Sequence, residues 1–202
     1  MATPPVVRFL VASNVLVFLL AGFLPTGLVA MLPLWPLGQH TAPGVAGTVG
    51  FAPWQLVTYA FLHGNLPHLV LNMFGLWTFG REIERYAGSR EFAYLYAVSV
   101  LVAGLAQVVV VSLPPVQAYP TVGASGGVFG VLLAFAMLFP RRRVMLLIPP
   151  IPMPAWLFVT GYAALELYWG VTGTEQGIAH FAHLGGMAGA WFVVRRWRAA
   201  QA

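Results

Sequence analysis

The chain has 202 residues, 59% of them hydrophobic and only 7% charged, against about a quarter charged in ordinary soluble domains. Ten arginines set against five glutamates give a formal charge of +5, and there is no Lys, no Asp and no Cys. This composition excludes water as the main solvent, and it excludes disulfides, thiol catalysis, a Ser-Lys dyad and any Ser-His-Asp triad. The arginines flank apolar segments instead of forming a basic face, which points to anionic lipid headgroups and away from nucleic acid.

The first apolar run, 6–25, has Arg8 near its start and no convincing small-residue cleavage site, so it reads as a retained helix and not a signal peptide. Residues 26–65 follow as a long outer segment rich in Pro and Gly that still carries Leu32, Leu34, Trp35, Leu37, Phe51 and Trp54. Such a segment is expected in the headgroup region, with Trp35 and Trp54 as interfacial anchors. The second run, 66–81, opens with HGNLPHLVLN, which puts His63, His68 and Asn72 at or just before its start. The third run is 92–113. The fourth, 122–139, opens with TVGASGGVFG, where Ser125 stands among glycines. LLIPPIPMP, Leu146 to Pro154, is too proline-rich for a helix interior and is assigned to the inner loop before the fifth run, 154–170. The sixth run, 178–194, opens with IAHFAHLGG and contributes His180 and His183.

A bilayer cannot satisfy an open backbone, so each run is expected to be a membrane-spanning helix. The fold class expected is an all-α membrane protein, a six-transmembrane-helix bundle with a long interfacial outer loop between helices 1 and 2. No repeat or low-complexity linker divides 1–202, which reads as one domain. With the N-terminus in the cytoplasm, Arg8, Arg81, Arg85, Arg90, Arg141, Arg142, Arg143, Arg195, Arg196 and Arg198 all fall on the inner side. Both termini are then cytoplasmic.

This threading makes the second, fourth and sixth runs enter from outside. His63, His68, Asn72, Ser125, His180 and His183 therefore share one depth, within about 10 Å of the outer ends of their helices. Each piece has a plainer reading. Gly123–Gly127, Gly126–Gly130, Gly185–Gly189 and Gly186–Ala190 are small-xxx-small pairs that by themselves suggest close helix packing. A single histidine can be a satisfied structural residue, and His68 and Asn72, at i and i+4, can bond neighbouring helices. Four histidines can ligate a metal, but HFAH lacks the Glu of HExxH and no carboxylate lies close in sequence, so no metal and no cofactor is expected. Taken together the pieces match a hydrolase: a serine hydroxyl needs a base, and its tetrahedral product needs preorganised donors. Ser125 follows Pro120 closely, so it belongs in a first helical turn, where backbone N–H groups are unpaired.

With GASGG around Ser125, AHLGG around His183 and the His-x3-Asn of His68 and Asn72, the chain resembles the rhomboid intramembrane serine proteases. FGREIERYAGS after the second run and the outer loop around Trp54 add to the likeness, which covers essentially the whole chain as the minimal six-helix form. The resemblance implies a Ser-His dyad without an acidic third member, with Ser125 as nucleophile and His183 as general base. Only His183, and not His180, fits Ala-His-x-Gly-Gly. It implies an oxyanion hole of His68, Asn72 and the Ser125 N–H, with His63, Gly123, Gly126, Phe129 and Gly186 supporting the site. Two departures stand out: Phe129 where the family often has Tyr, and Trp54-Gln55 where the outer loop commonly reads Trp-Arg, which puts the fastening of that loop in question. The activity implied is cleavage of peptide bonds in or beside transmembrane segments of other proteins, near the outer face of the cell membrane. Substrates would carry a small residue before the cut, and a gate would lie around Trp169 to Gln176. The alternatives are an inactive rhomboid-like protein that binds transmembrane helices and a small transporter or channel. Oligomeric state is not legible.

Overall fold

Each of the six apolar runs is occupied by helix in the computed structural model, which describes residues 3–113, 119–146, 149–173 and 178–200. Helix α1 is Pro5–Ala21, and the outer segment holds only the short α2 (Thr26–Ala30), α3 (Gln55–Thr58) and one 3-10 turn, Tyr59–Phe61. Helix α4 is Leu66–Gly75, started by the Asn65 side chain, which accepts the His68 N–H at 2.8 Å. It passes through a single wide turn, Leu76–Gly80, into α5, Arg81–Ala87. The second run thus continues as helix past the predicted 81, until Gly88, at φ +89°, ends it. The remaining helices are α6 (Ser89–Val111), α7 (Ser125–Leu138), α8 (Ala155–Thr172) and α9 (His180–Ala199). By length and composition α6 is apolar enough to cross a membrane, and α1 and α7 are shorter apolar helices. Phe9, Phe23, Val109, Val171 and Phe192 stand exposed on the outside.

Helices α6, α7 and α9 form the packed centre, and small residues set their spacing. A Cβ at Gly130 of α7 would lie 2.8 Å from the Gly186 carbonyl oxygen of α9, and one at Gly185 would lie 2.7 Å from the Ala106 Cβ of α6. Lipid tails are as apolar as leucine, so helices in such a solvent gain by van der Waals contact and not by burying oily surface. Glycine lets the backbones touch. Helix α8 packs on the outside of α7 and α9.

Leu146–Pro154 belongs to the connection between α7 and α8, outside any helix as expected, and its end forms β2, Pro152–Pro154, antiparallel to β1, Arg143–Met145, with Arg143 opposite Pro154; residues 147 and 148 lie outside the described residues. One sequence expectation needs correction. Trp35 is not an interfacial anchor but a core residue, 6% exposed, with its indole N–H on the Ala30 carbonyl at 2.7 Å. Trp54 remains exposed.

The outer segment is fastened by Gln55, which stands where the likeness to the family would commonly put an arginine. The side chain is buried, its oxygen accepts the backbone N–H of Trp35 (3.1 Å) and Ala52 (3.2 Å), and its amide donates to the carbonyls of Met31 (3.2 Å) and Gly50 (3.0 Å). Leu34 exchanges backbone hydrogen bonds with Thr121 at 2.9 Å in both directions, tying the segment to the approach of α7.

Candidate active site

Ser125 is the first residue of α7, and the chain enters it through Gly123 at φ +132°, a conformation that L side chains rarely adopt. The Gly123 N–H donates to the Tyr59 carbonyl at 2.9 Å, which fixes the turn. A Cβ at Gly123 would sit 2.8 Å from the His68 ring, so glycine is required twice there, for its φ and for its lack of a side chain. The result is a hydroxyl at a helix start, beside N–H groups that have no carbonyl one turn back.

His183 lies in the first turn of α9, and its Nε2 is 2.8 Å from Ser125 Oγ across 58 residues of chain. For Nε2 to accept the hydroxyl proton, the neutral imidazole must carry its own proton on Nδ1. The ring is stacked on Phe129, one turn along α7 from the serine, with centroids 4.1 Å apart and planes 7° from parallel. Phe129 therefore supplies the ring contact despite lacking a hydroxyl.

His68 and His63 meet edge to face with centroids 5.0 Å apart. His63, in the loop before α4, is held neutral: burial first and the neighbouring His68 second push its pKa from 6.5 down to about 4. Asn72 is buried, and its amide donates to the His68 carbonyl at 2.9 Å, one turn back on the same helix. That bond uses one of the two amide hydrogens and leaves the other uncommitted. Among the described residues Asn72 makes no hydrogen bond to Ser125 or His183. Gly126 and Gly186 face one another where α7 and α9 touch. The predicted Ser125, His183, Phe129, Gly123 and His68 are thus in one neighbourhood, with His63 and Asn72 each in contact with His68.

Spacing did not reveal Glu166. It lies on α8, buried, with Oε2 2.6 Å from His180 Nδ1 and 2.9 Å from His183 Nδ1. The His180 contact is a hydrogen bond, whereas His183 Nδ1 is close to the oxygen but off its own N–H axis. Ligand atoms of Glu166, His180 and His183 lie within 4.8 Å of one another, so this trio is also where a metal could be held. The signal available in the sequence was a carboxylate inside an apolar run, an expensive residue that needs a partner.

Residues 50–198 match the Rhomboid domain family. The chain belongs to the rhomboid family. This rhomboid is 33% identical over 136 residues to Rhomboid protein 1, mitochondrial, of Saccharomyces cerevisiae, a match covering 65% of this chain and 38% of that protein. It is 34% identical over 94 residues to Rhomboid protease GluP of Bacillus subtilis, covering 46% of this chain and 17% of GluP. Rhomboid protease GlpG of Enterobacter sp. (strain 638) is 24% identical over 188 residues, covering 91% of this rhomboid and 60% of GlpG. The rhomboid thus spans less than two thirds of each of these relatives.

Proposed function

We propose that this rhomboid is an intramembrane serine endopeptidase that hydrolyses peptide bonds in or next to transmembrane segments of other membrane proteins. The observation that carries the reading is the 2.8 Å contact between His183 Nε2 and Ser125 Oγ. As Oγ attacks a substrate carbonyl carbon, its proton passes to His183 Nε2. The electron pair of the C=O moves onto oxygen, which the Ser125 N–H, His68 and Asn72 stabilise. Collapse breaks the C–N bond, and His183 returns the proton to the leaving amine. Water then repeats the sequence on the acyl-serine. Side chains, one backbone N–H and water carry the reaction, and no cofactor enters.

The molecule is a single domain of six membrane crossings in the cell membrane, with both termini in the cytoplasm and the site near the outer face. Helix α7 has 14 residues, about 21 Å at 1.5 Å per residue, against a hydrocarbon core of about 30 Å. With the arginines after Leu138 held at the inner surface, Ser125 begins below the outer surface, in a recess that admits water. A substrate helix hides its carbonyls in hydrogen bonds, so it must unwind locally before attack. Helix-destabilising residues near the cut follow from that, and a small residue before the cut is what the likeness to the family implies. The gate is α8 or the cap that follows it, around Trp169 to Gln176, of which 174–176 lie outside the described residues.

The test is cleavage of a reporter transmembrane protein in proteoliposomes. Ser125→Ala abolishes turnover while the thermal melt stays intact; retained turnover rules out the nucleophile. His183→Ala abolishes labelling of Ser125 by a fluorophosphonate. Labelling that survives in His183→Ala and disappears in His180→Ala moves the base to His180.

A further inference from the structure

We infer that Glu166 is a positioning residue for His183, so that the hydrolytic machinery is a Ser-His-Glu array extended by His180 and not a bare dyad. The inference rests on the protease reading above and deepens it. The geometry comes first. His180 and His183 stand three residues apart on α9 and so share a face. Their rings are perpendicular, 88° apart with centroids at 6.4 Å, and this turns both Nδ1 atoms onto the same Glu166 oxygen. The opposite edge of the His183 ring meets Ser125 Oγ. Hydroxyl, imidazole and carboxylate are thus in series, with Phe129 holding the ring plane.

The close approach is built into the helices. At Gly170, one turn after Glu166 on α8, a Cβ would lie 3.2 Å from the His180 Cβ and 3.1 Å from the Phe181 ring. A side chain there would require His180 and Phe181 to give by a few tenths of an ångström, so glycine suits the close approach of α8 to α9. Trp169 covers His180 from the same helix, with centroids 6.0 Å apart.

The chemistry follows. A bare Nε2 on His183 requires the proton on Nδ1, and a carboxylate facing Nδ1 selects that tautomer. When Nε2 takes the serine proton, the imidazolium formed lies beside a negative charge instead of alone in a low-dielectric site. His180 has a different part: its 2.6 Å hydrogen bond holds the carboxylate so that one oxygen serves both rings. The His183 N–H points off the line to Oε2 in this resting geometry. The carboxylate torsion is broad, and catalytic hydrogen bonds in substrate-free enzymes are commonly bent until substrate tightens the site.

A shared metal is the competing use of the same atoms. Ligands around a four-coordinate zinc lie about 3.3 Å apart, given metal–ligand bonds of about 2.0 Å. The 2.6 Å separation from His180 is that of a hydrogen bond, and both separations, 2.6 and 2.9 Å, are shorter than the spacing of ligands on one zinc.

The experiment uses the full chain in nanodiscs with 15N-labelled histidine, together with reporter cleavage. Wild type is expected to show His183 as the Nδ1-protonated tautomer, and Glu166→Gln to convert it to a mixture. In cleavage, Glu166→Gln lowers kcat by about 100-fold or more with KM within about twofold, as loss of the triad carboxylate does in serine proteases. Glu166→Asp recovers part of the rate. A wild-type His183 protonated on Nε2 overturns the inference even if Glu166→Gln fails to fold. So does a Glu166→Gln enzyme with wild-type kcat, or an unchanged tautomer beside a collapsed melt. Wild-type activity that is lost to a chelator and restored by zinc overturns it in favour of the metal. The tautomer measurement needs no substrate, so turnover retained in Ser125→Ala sinks the protease reading and leaves Glu166 to be judged separately.

Discussion

Asn72 separates a residue that merely packs from one that works. Its amide already donates to the His68 carbonyl, a bond that ties down the side chain without consuming its second hydrogen. If that hydrogen meets the oxyanion, it contributes only when charge has built up on the oxygen. Asn72→Ala is then expected to lower kcat by about 100-fold while KM changes little, the pattern of a donor used in the transition state alone. Steady-state cleavage in proteoliposomes reads this directly; a rise in KM at unchanged kcat would make Asn72 a substrate contact instead. Ser125 and His183 were legible in the sequence because their neighbours must be small, and that requirement is written locally as GASGG and AHLGG. Glu166 was not, since what makes it meaningful is a partner supplied by another helix, and one glutamate in an apolar run carries no spacing rule. Gln55 was legible only as a missing charge. Its role depends on four backbone groups converging from residues 31–52, which no local pattern announces.

The helices themselves were readable because apolar length is a crude but strong signal, and each of the six runs did become helix. Their ends were less so. The second run continues to Ala87, the helix going on through Arg81, Glu82 and Arg85 although the apolar run ends at 81. The ribbon β1–β2 escaped notice because proline normally argues against strands. In a two-stranded ribbon, however, each strand has one free edge, and Pro152 and Pro154 can turn their missing donors to it. The α7–α9 contact makes the sharpest prediction at this level. Gly186 meets the backbone of Gly126, so a side chain there has no flexible neighbour to displace. Gly186→Val is expected to cost about 3 kcal/mol or more of stability, at the upper end for overpacking because backbone must move. It should also separate Ser125 from His183, so fluorophosphonate labelling falls even in protein that stays folded. A valine variant that melts and labels like wild type would mean the helices are not in contact in the membrane.

The molecule as a whole is polarised, and both its charge and its chemistry follow that polarity. Helix α7 runs from Ser125 to Leu138 and is followed at once by Arg141, Arg142 and Arg143; α9 runs from His180 to Arg195, Arg196 and Arg198. Reactive groups start these helices and arginines finish them. The charged ends are joined to one another: Arg142 reaches Glu82 at 3.1 Å, Glu84 takes the N–H groups of Val6 and Val7 at 2.9 and 2.8 Å, and the Trp197 indole donates to Glu91 at 2.8 Å. These contacts gather charged groups at the arginine ends of the helices, the side that the proposed threading puts in the cytoplasm, with the histidines and the serine toward the other face. The absence of cysteine makes the assignment testable without background. Ala46→Cys, exposed in the outer segment, and Ala199→Cys, exposed at the end of α9, are each introduced alone and treated with a membrane-impermeant maleimide. Intact cells are expected to label Ala46→Cys only, and permeabilised cells both. Labelling of Ala199→Cys in intact cells, with Ala46→Cys protected, would invert the molecule, put the catalytic recess on the cytoplasmic side and require substrates to be cut from within. Because all ten arginines would then face the wrong way, that result would also overturn the charge argument by which the six runs were threaded.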